Sequence, residues 1–262
     1  MISINGLEIK PTIFPDGTSQ IWNLPQSLFS KRDIEILWNF EREEELIHLH
    51  EVATLLRSQC SVYTPITLEM PYCPYARQDH PISNQASFAL YSFAKIINSL
   101  DLCIVYVDDA HSEQAEILIT NLISRPPMAL IKRLRHYKYD YICFPDFGAR
   151  ERYSELFQDV KLVYGEKTRD QQTGHIVDYS FSDKIEKDSN ILVVDDICDG
   201  GRTFQLLGEC LKGKTSYLDL YVTHGIFSKG CSELFKIYNH IITTDSYYPS
   251  RKLWKEEGVI VI

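Results

Sequence analysis

The chain is 262 residues long, 44% hydrophobic and 24% charged, which suits one large soluble domain or two modest ones. Its formal net charge of −9 excludes broad, sequence-independent binding to nucleic acid or to an anionic membrane, while leaving room for a local basic pocket that takes phosphates. The seven cysteines are scattered and never spaced as CxxC, so they read as free thiols, mostly buried, in a reducing compartment. "MISINGLEIK" lacks the basic and apolar regions of a leader and no apolar run is long enough to span a bilayer, so the expected localisation is cytoplasmic.

From the amino terminus, "FPDGTSQI" (14–21) is a turn signal, and "IEILWNF" (34–40) is the first strand-like run. The acidic "EREEE" (41–45) then opens a helix whose Leu46, Leu49, Ala53 and Leu56 form one stripe, its carboxylates suiting the positive end of the helix dipole. His48 and His50 flank Leu49 without the i, i+4 spacing of a metal clamp and are expected on the solvated helix surface. "SVYTPITLEMP" (61–71) reads as a strand, "ISNQASFALYSFAKIINSL" (82–100) as a helix with Phe88, Tyr91, Phe93 and Ile97 on one face, and "DLCIVYVDD" (101–109) as another strand.

Two prolines in "SRPPMAL" (124–130) interrupt helix and sheet alike and mark a boundary. Beyond it come strand-like "YDYICFPD" (139–146), "NILVVDDI" (190–197) and "SYLDLYVTH" (216–224). Strands alternating with helices predict an α/β fold of two similar domains, residues 1–125 and 126–262, each a parallel sheet flanked by helices.

The densest chemistry lies in "VVDDICDGGRT" (193–203). Ligands of parallel α/β sheets gather where strands end and helices begin. Adjacent strand residues point to opposite faces, so Asp195 and Asp196 are expected to face one ligand through a turn in the chain there. Asp199, Gly200, Gly201 and Thr203 then offer backbone N–H groups and a hydroxyl to a phosphate at a helix start. Acids beside a phosphate loop fit a sugar phosphate, with the carboxylates accepting from vicinal hydroxyls. By contrast "GECLKGKT" (208–215), which matches the P-loop pattern to the letter, follows a helix and precedes a strand, the reverse of what a P-loop needs.

"VVDDICDGG" resembles the phosphoribosyl diphosphate (PRPP) binding motif of type I phosphoribosyltransferase folds, and further segments narrow the likeness. "MPYCPYARQDH" (70–80), "FPDGTSQI", "VDDAHSEQ" (107–114), "CFPDFGARERY" (143–153), "YGEKTRD" (164–170) and "YVTHGIFSKG" (221–230) resemble, in family order, segments of ribose-phosphate pyrophosphokinase, the PRPP synthetase family. The resemblance implies transfer of the β,γ-diphosphoryl group of ATP to the 1-hydroxyl of ribose 5-phosphate, giving PRPP and AMP. It implies an ATP-binding first domain and a ribose-phosphate-binding second one. It assigns Arg77, Gln78 and Asp79 to ATP, with Phe14 stacking on adenine and Asp16 accepting from its amine. Asp195, Asp196, Asp199, Gly200, Gly201 and Thr203 go to ribose 5-phosphate. His111 and Asp146 become contacts of Mg2+, which enters as Mg-ATP and as a second ion. His111 is also assigned to catalysis, with Lys167 and Arg169 of a mobile polar loop, "EKTRDQQTG", closing over ATP. Because the family's "FPDG" loop reaches a neighbouring subunit's site, it implies a homodimer or higher homo-oligomer.

Departures from the family pattern are visible. "RQDH" runs directly into Pro81-Ile82-Ser83 without the family's basic insertion, which removes the expectation of phosphate or ADP regulation. Thr18 replaces an acid, and Arg202 stands where the phosphate loop has a small residue. The alternatives are a phosphoribosyltransferase that consumes PRPP, which leaves "PYARQD" and "FPDG" unexplained, and a catalytically silent relative.

Overall fold

The computed structural model describes residues 1–169 and 176–262. The chain divides into two compact units, Met1–Pro126 and Pro127–Ile262. Pro126 directly follows the last strand of the first unit, and Pro127 is the N-cap of the first helix of the second.

The first unit begins with a hairpin of β1 (Ile2–Ile4) and β2 (Leu7–Ile9), then a two-residue pair, β3 (Thr12–Ile13) and β4 (Ser19–Gln20), that flanks the "FPDG" turn. After α1 (Gln26–Phe29) come β5 (Ile34–Trp38), α2 (Glu45–Gln59), β6 (Ile66–Glu69), α3 (Ala89–Asn98), β7 (Ile104–Asp108), α4 (Gln114–Leu118) and β8 (Leu122–Arg125). Its main sheet has the order β2-β1-β5-β6-β7-β8, parallel from β5 to β8 and antiparallel where β1 joins β5. Ile34, Ile36 and Trp38 alternate into the core, as period-2 geometry requires.

Two helical expectations need correction. His48 is buried rather than solvated, because it lies one and two turns from Val52 and Leu56 on the same buried stripe; His50 is exposed. On α3 the buried face is Leu90, Phe93, Ala94 and Ile97, an i, i+3, i+4, i+7 set. Tyr91 falls outside it, 45% exposed and stacked on Phe88 at 5.9 Å.

The second unit runs α5 (Met128–His136), β9 (Tyr141–Phe144), α6 (Phe147–Tyr153), β10 (Lys161–Arg169), β11 (Ile176–Phe181), β12 (Ser189–Cys198), α7 (Arg202–Leu211), β13 (Thr215–Gly225), α8 (Ser232–Phe235), β14 (His240–Thr243), α9 (Arg251–Glu257) and β15 (Ile260–Val261). The sheet order is β11-β10-β9-β12-β13-β14-β15, parallel except for β10 with β11. Side chains alternate between two cores. Ile191 and Val193 pack with Phe204, Leu207 and Leu211 of α7, while Leu192 and Val194 pack with Leu130, Ala149 and Tyr153 of α5 and α6. Burial on both faces accounts for the uninterrupted apolar run at the start of β12.

The fold class is therefore α/β, with two mainly parallel sheets flanked by helices. The P-loop lookalike sits as its element order demands. Gly208 to Leu211 end α7, Gly213 turns the chain at φ +85°, and β13 follows. Gly208 is there for packing, since a β-carbon would overlap Ile237 and come within 3.1 Å of the Tyr238 ring. The segment expected as a polar loop is instead strand through Arg169, with Lys167 opposite Tyr179 in the β10–β11 ladder. Residues 170–174 of that segment, and the side chains of Lys167 and Arg169, lie outside the described residues. Cys73, Cys143, Cys198 and Cys231 are buried thiols, and Cys103 is exposed. Among the described residues no helix is long and apolar enough to cross a membrane.

Candidate functional site

In the second unit the site forms where β12 ends. β12 continues in register with β13 past Asp195, so the chain does not turn between the two acids as expected; the bend comes at Asp199 and Gly200. What joins the carboxylates is Arg152, near the end of α6. Its Nη2 donates to Asp195 Oδ1 at 3.1 Å and to Asp196 Oδ1 at 2.9 Å. Asp196 is 1% exposed, and the Asp195 side chain keeps 16% exposure. Burial first, then the charge of Asp196, pushes the Asp195 carboxyl well above the ordinary carboxylate range, while the Arg152 guanidinium opposes that shift. Asp146 caps the helix that carries Arg152, its Oδ1 accepting from Ala149 N at 3.1 Å.

The glycine loop follows at once. Gly201 is the N-cap of α7 at φ +74°, a left-handed conformation that glycine adopts without β-carbon strain. Arg202 is exposed at the first helical position, and Thr203 is half-buried beside it. Asp199 Oδ1 accepts from the Ser228 hydroxyl at 2.6 Å.

In the first unit a polar cluster sits beyond the carboxyl ends of the parallel strands. Arg125, ending β8, donates to Glu69 Oε2 at 2.7 Å and Asp108 Oδ1 at 2.8 Å, the last residues of β6 and β7. Asp109, buried at φ +46°, donates its N–H to Arg125 O at 2.8 Å, and Ala110 N donates to Ser124 Oγ at 3.0 Å. This turn presents His111. His111 acts on Asp79: burial pushes the Asp79 carboxyl up, but hydrogen bonds from Ser112 and His80, with the His111 charge, hold it below its ordinary value. His80 Nδ1 lies 2.6 Å from Asp79 Oδ1. Arg77 and Gln78 are exposed just before them.

Phe14 and Asp16 stand apart on the β3–β4 turn. Asp16 Oδ1 accepts from Thr18 N at 3.0 Å and Thr18 Oγ1 at 2.7 Å, and the hydroxyl bond is the main reason its carboxyl sits below the ordinary value. The turn borders a cavity of 810 Å³ lined by Glu8, Lys10, Ile13, Thr18, Glu45 and His48 among others, whose lining includes none of Arg77, Gln78, Asp79 or His111. Among the described residues no group of three or more His, Cys, Asp or Glu side chains gathers as a ready metal site.

Each unit thus carries a polar cluster at the carboxyl ends of its parallel strands, and comparison with known proteins finds the same architecture elsewhere. No protein-family model matches the chain. It is 22% identical over 254 residues to the ribose-phosphate pyrophosphokinase of Sulfurisphaera tokodaii, covering 95% of this chain and 81% of that protein. With the Hyphomonas neptunium enzyme of the same name it shares 27% over 208 residues, 75% of this chain and 66% of that one. With that of Brucella melitensis it shares 26% over 271 residues, 91% and 85% of the two chains. The crystal structure of phosphoribosylpyrophosphate synthetase from Mycobacterium smegmatis superposes with a TM-score of 0.77 at 17% identity, over 97% of this chain and 85% of that one.

The chain is a distant homologue of the ribose-phosphate pyrophosphokinases. Its two mainly parallel sheets match the two-domain phosphoribosyltransferase-type fold of PRPP synthetase. Within that fold the residues that sequence reasoning missed are Arg152 and His80. Arg152 sits 43 residues before Asp195, in the "CFPDFGARERY" segment from which only Asp146 was singled out, so no local spacing announces the pairing. His80 lies next to the "RQD" triplet and was legible only as a neighbour of Asp79.

Proposed function

We propose that this chain is a ribose-phosphate diphosphokinase, transferring the β,γ-diphosphoryl group of ATP to the 1-hydroxyl of ribose 5-phosphate to give PRPP and AMP. The observation that carries the reading is homology to pyrophosphokinases running through both units, with a polar cluster at the strand ends of each. A PRPP-consuming transferase needs only one such unit.

In this reading the second unit holds the sugar. The N–H groups from Gly200 to Thr203 face the 5-phosphate at the positive end of α7, and Asp195, backed by Arg152 and Asp196, accepts from the ribose hydroxyls. The first unit holds ATP through Arg77, Gln78 and Asp79, with Arg77 suited by its planar fork to phosphate oxygens. Phe14 and Asp16 serve the adenine of a neighbouring subunit, which requires at least a homodimer. In the reaction the 1-hydroxyl oxygen bonds to the β-phosphorus, the bond from that phosphorus to the α,β-bridging oxygen breaks, AMP departs with the bridging oxygen, and the hydroxyl proton is released. In-line positioning and charge neutralisation are what such a transfer needs, and Lys167 and Arg169 supply cations to the migrating group.

Mg2+ fits the donor chemistry: Asp146 offers hard carboxylate oxygen and His111 a half-buried imidazole, and Mg2+ is usually completed by substrate phosphates and water. When bound, it neutralises the phosphate oxygens of ATP. The deciding experiment follows AMP and PRPP together from Mg-ATP and ribose 5-phosphate. Equal formation of both supports the reading, whereas neither product from a folded protein that still binds both substrates makes it a silent relative.

A further inference from the structure

The turn after β13 is tied to the start of the glycine loop. Ile226 N and Phe227 N both donate to Cys198 O, at 2.9 and 3.0 Å, and Ser228 N donates to Asp199 O at 3.2 Å. The Ser228 hydroxyl adds its bond to Asp199 Oδ1. Phe227 is buried at φ +45°, and Gly230, at φ +72°, closes the turn by donating to Phe227 O at 2.8 Å. Lys229 sits between these fixed points. Its Cδ and Cε lie 3.6 Å from where a β-carbon on Gly200 would stand, so its stem covers the part of the loop that Gly200 leaves bare. The residue is exposed, and among the described residues its ammonium has no ion-pair partner. A lysine in this setting rests its stem on the surface and keeps its charge in solvent at the rim.

Charge balance gives that ammonium a task. Asp195, Asp196 and Asp199 place three carboxylates within five residues, and Arg152 is already committed to the first two. A phosphate dianion entering the loop meets backbone N–H groups, the exposed Arg202 at the start of α7 and this negative surround, and Lys229 adds a second cation on the Gly200 side. We infer that Lys229 binds the 5-phosphate of the sugar phosphate held by residues 199–203, making the site selective for phosphorylated over free sugar. The inference rests on the ribose-phosphate reading of this loop.

Titration calorimetry on the full-length protein tests it, with ribose 5-phosphate and Mg-ATP against wild type, Lys229→Met and Lys229→Arg. Losing one charge-assisted hydrogen bond is expected to weaken ribose 5-phosphate binding about ten- to a hundredfold in Lys229→Met. Lys229→Arg is expected to recover most of the affinity, with Mg-ATP binding unchanged in all three. Equal ribose 5-phosphate affinity in wild type and Lys229→Met overturns the inference and leaves the functional reading standing. Failure of Lys229→Arg to recover affinity also overturns it, since a structural role predicts that result. Wild-type protein that binds no ribose 5-phosphate overturns both.

Discussion

Removing Arg152 isolates what holds the acid pair. Arg152→Leu leaves Asp196, 1% exposed, beside Asp195 with no guanidinium between them. Stripping one partner from a buried ion pair costs about 3–5 kcal/mol. The Arg152 side chain keeps 26% exposure, which lets solvent screen part of that charge and moves the expectation to roughly 2–3 kcal/mol near neutral pH. The loss depends on pH. The folded-state pKa of Asp195 is already raised, so the native state binds protons more readily than the unfolded chain. The stability this group contributes is full below the ordinary carboxylate pKa of about 3.9 and is lost as pH rises through the raised folded value. Without Arg152 the folded value rises further, so the variant regains ground on acidification. Hydrogen exchange of the peptide spanning β12, compared at pH 5 and pH 8 with and without Asp196→Asn, reads this locally. A penalty that is equal at both pH values and untouched by Asp196→Asn would refute the reasoning.

Three further outcomes are expected. Gly208→Ala gains about 1 kcal/mol in helix propensity yet is expected to lower the denaturation midpoint, because the new methyl overlaps Ile237; a raised midpoint in urea would contradict the packing role. Thr18→Val removes the hydroxyl bond to Asp16 Oδ1, and an NMR titration is expected to show the Asp16 pKa moving up toward the ordinary aspartate value; an unmoved pKa would show that the backbone bond suffices. Lys167→Ala is expected to lower turnover about a hundredfold or more while ATP affinity holds, as for a cation acting on transition-state charge; an equal fall in both would reassign it to ground-state binding.

Of the parallel strands, the short β8, β14 and β15 gave no signal, whereas β5, β6, β7, β9, β12 and β13 were legible because burial on both faces demands near-continuous apolar runs, as in "NILVVDDI" and "DLCIVYVDD". β10 and β11 were not. Glu166, Lys167 and Thr168 carry a loop's polarity, and it is their pairing with Ser180, Tyr179 and Asp178 of β11 at the sheet edge that makes them extended. Periodicity located α2 but placed His48 on the wrong side, since polarity was weighed above its i, i+4 relation to Val52. The glycine loop was readable as a local signal, with its acids, glycines and threonine contiguous. The turn assumed between Asp195 and Asp196 was wrong because it counted only strand alternation and left out a long arginine able to reach both acids from a neighbouring helix.

The two units keep separate cores. The apolar cluster of the first runs from Ile2 to Ile119 with Leu122 packed on it, and the two of the second begin at Ala129 and at Tyr141. A gene cut after the codon for Pro126 would therefore yield two polypeptides, each carrying its own interior. Nucleotide and sugar phosphate could then be titrated against separate half-molecules, and mixing the halves would show whether turnover can be rebuilt without a covalent link.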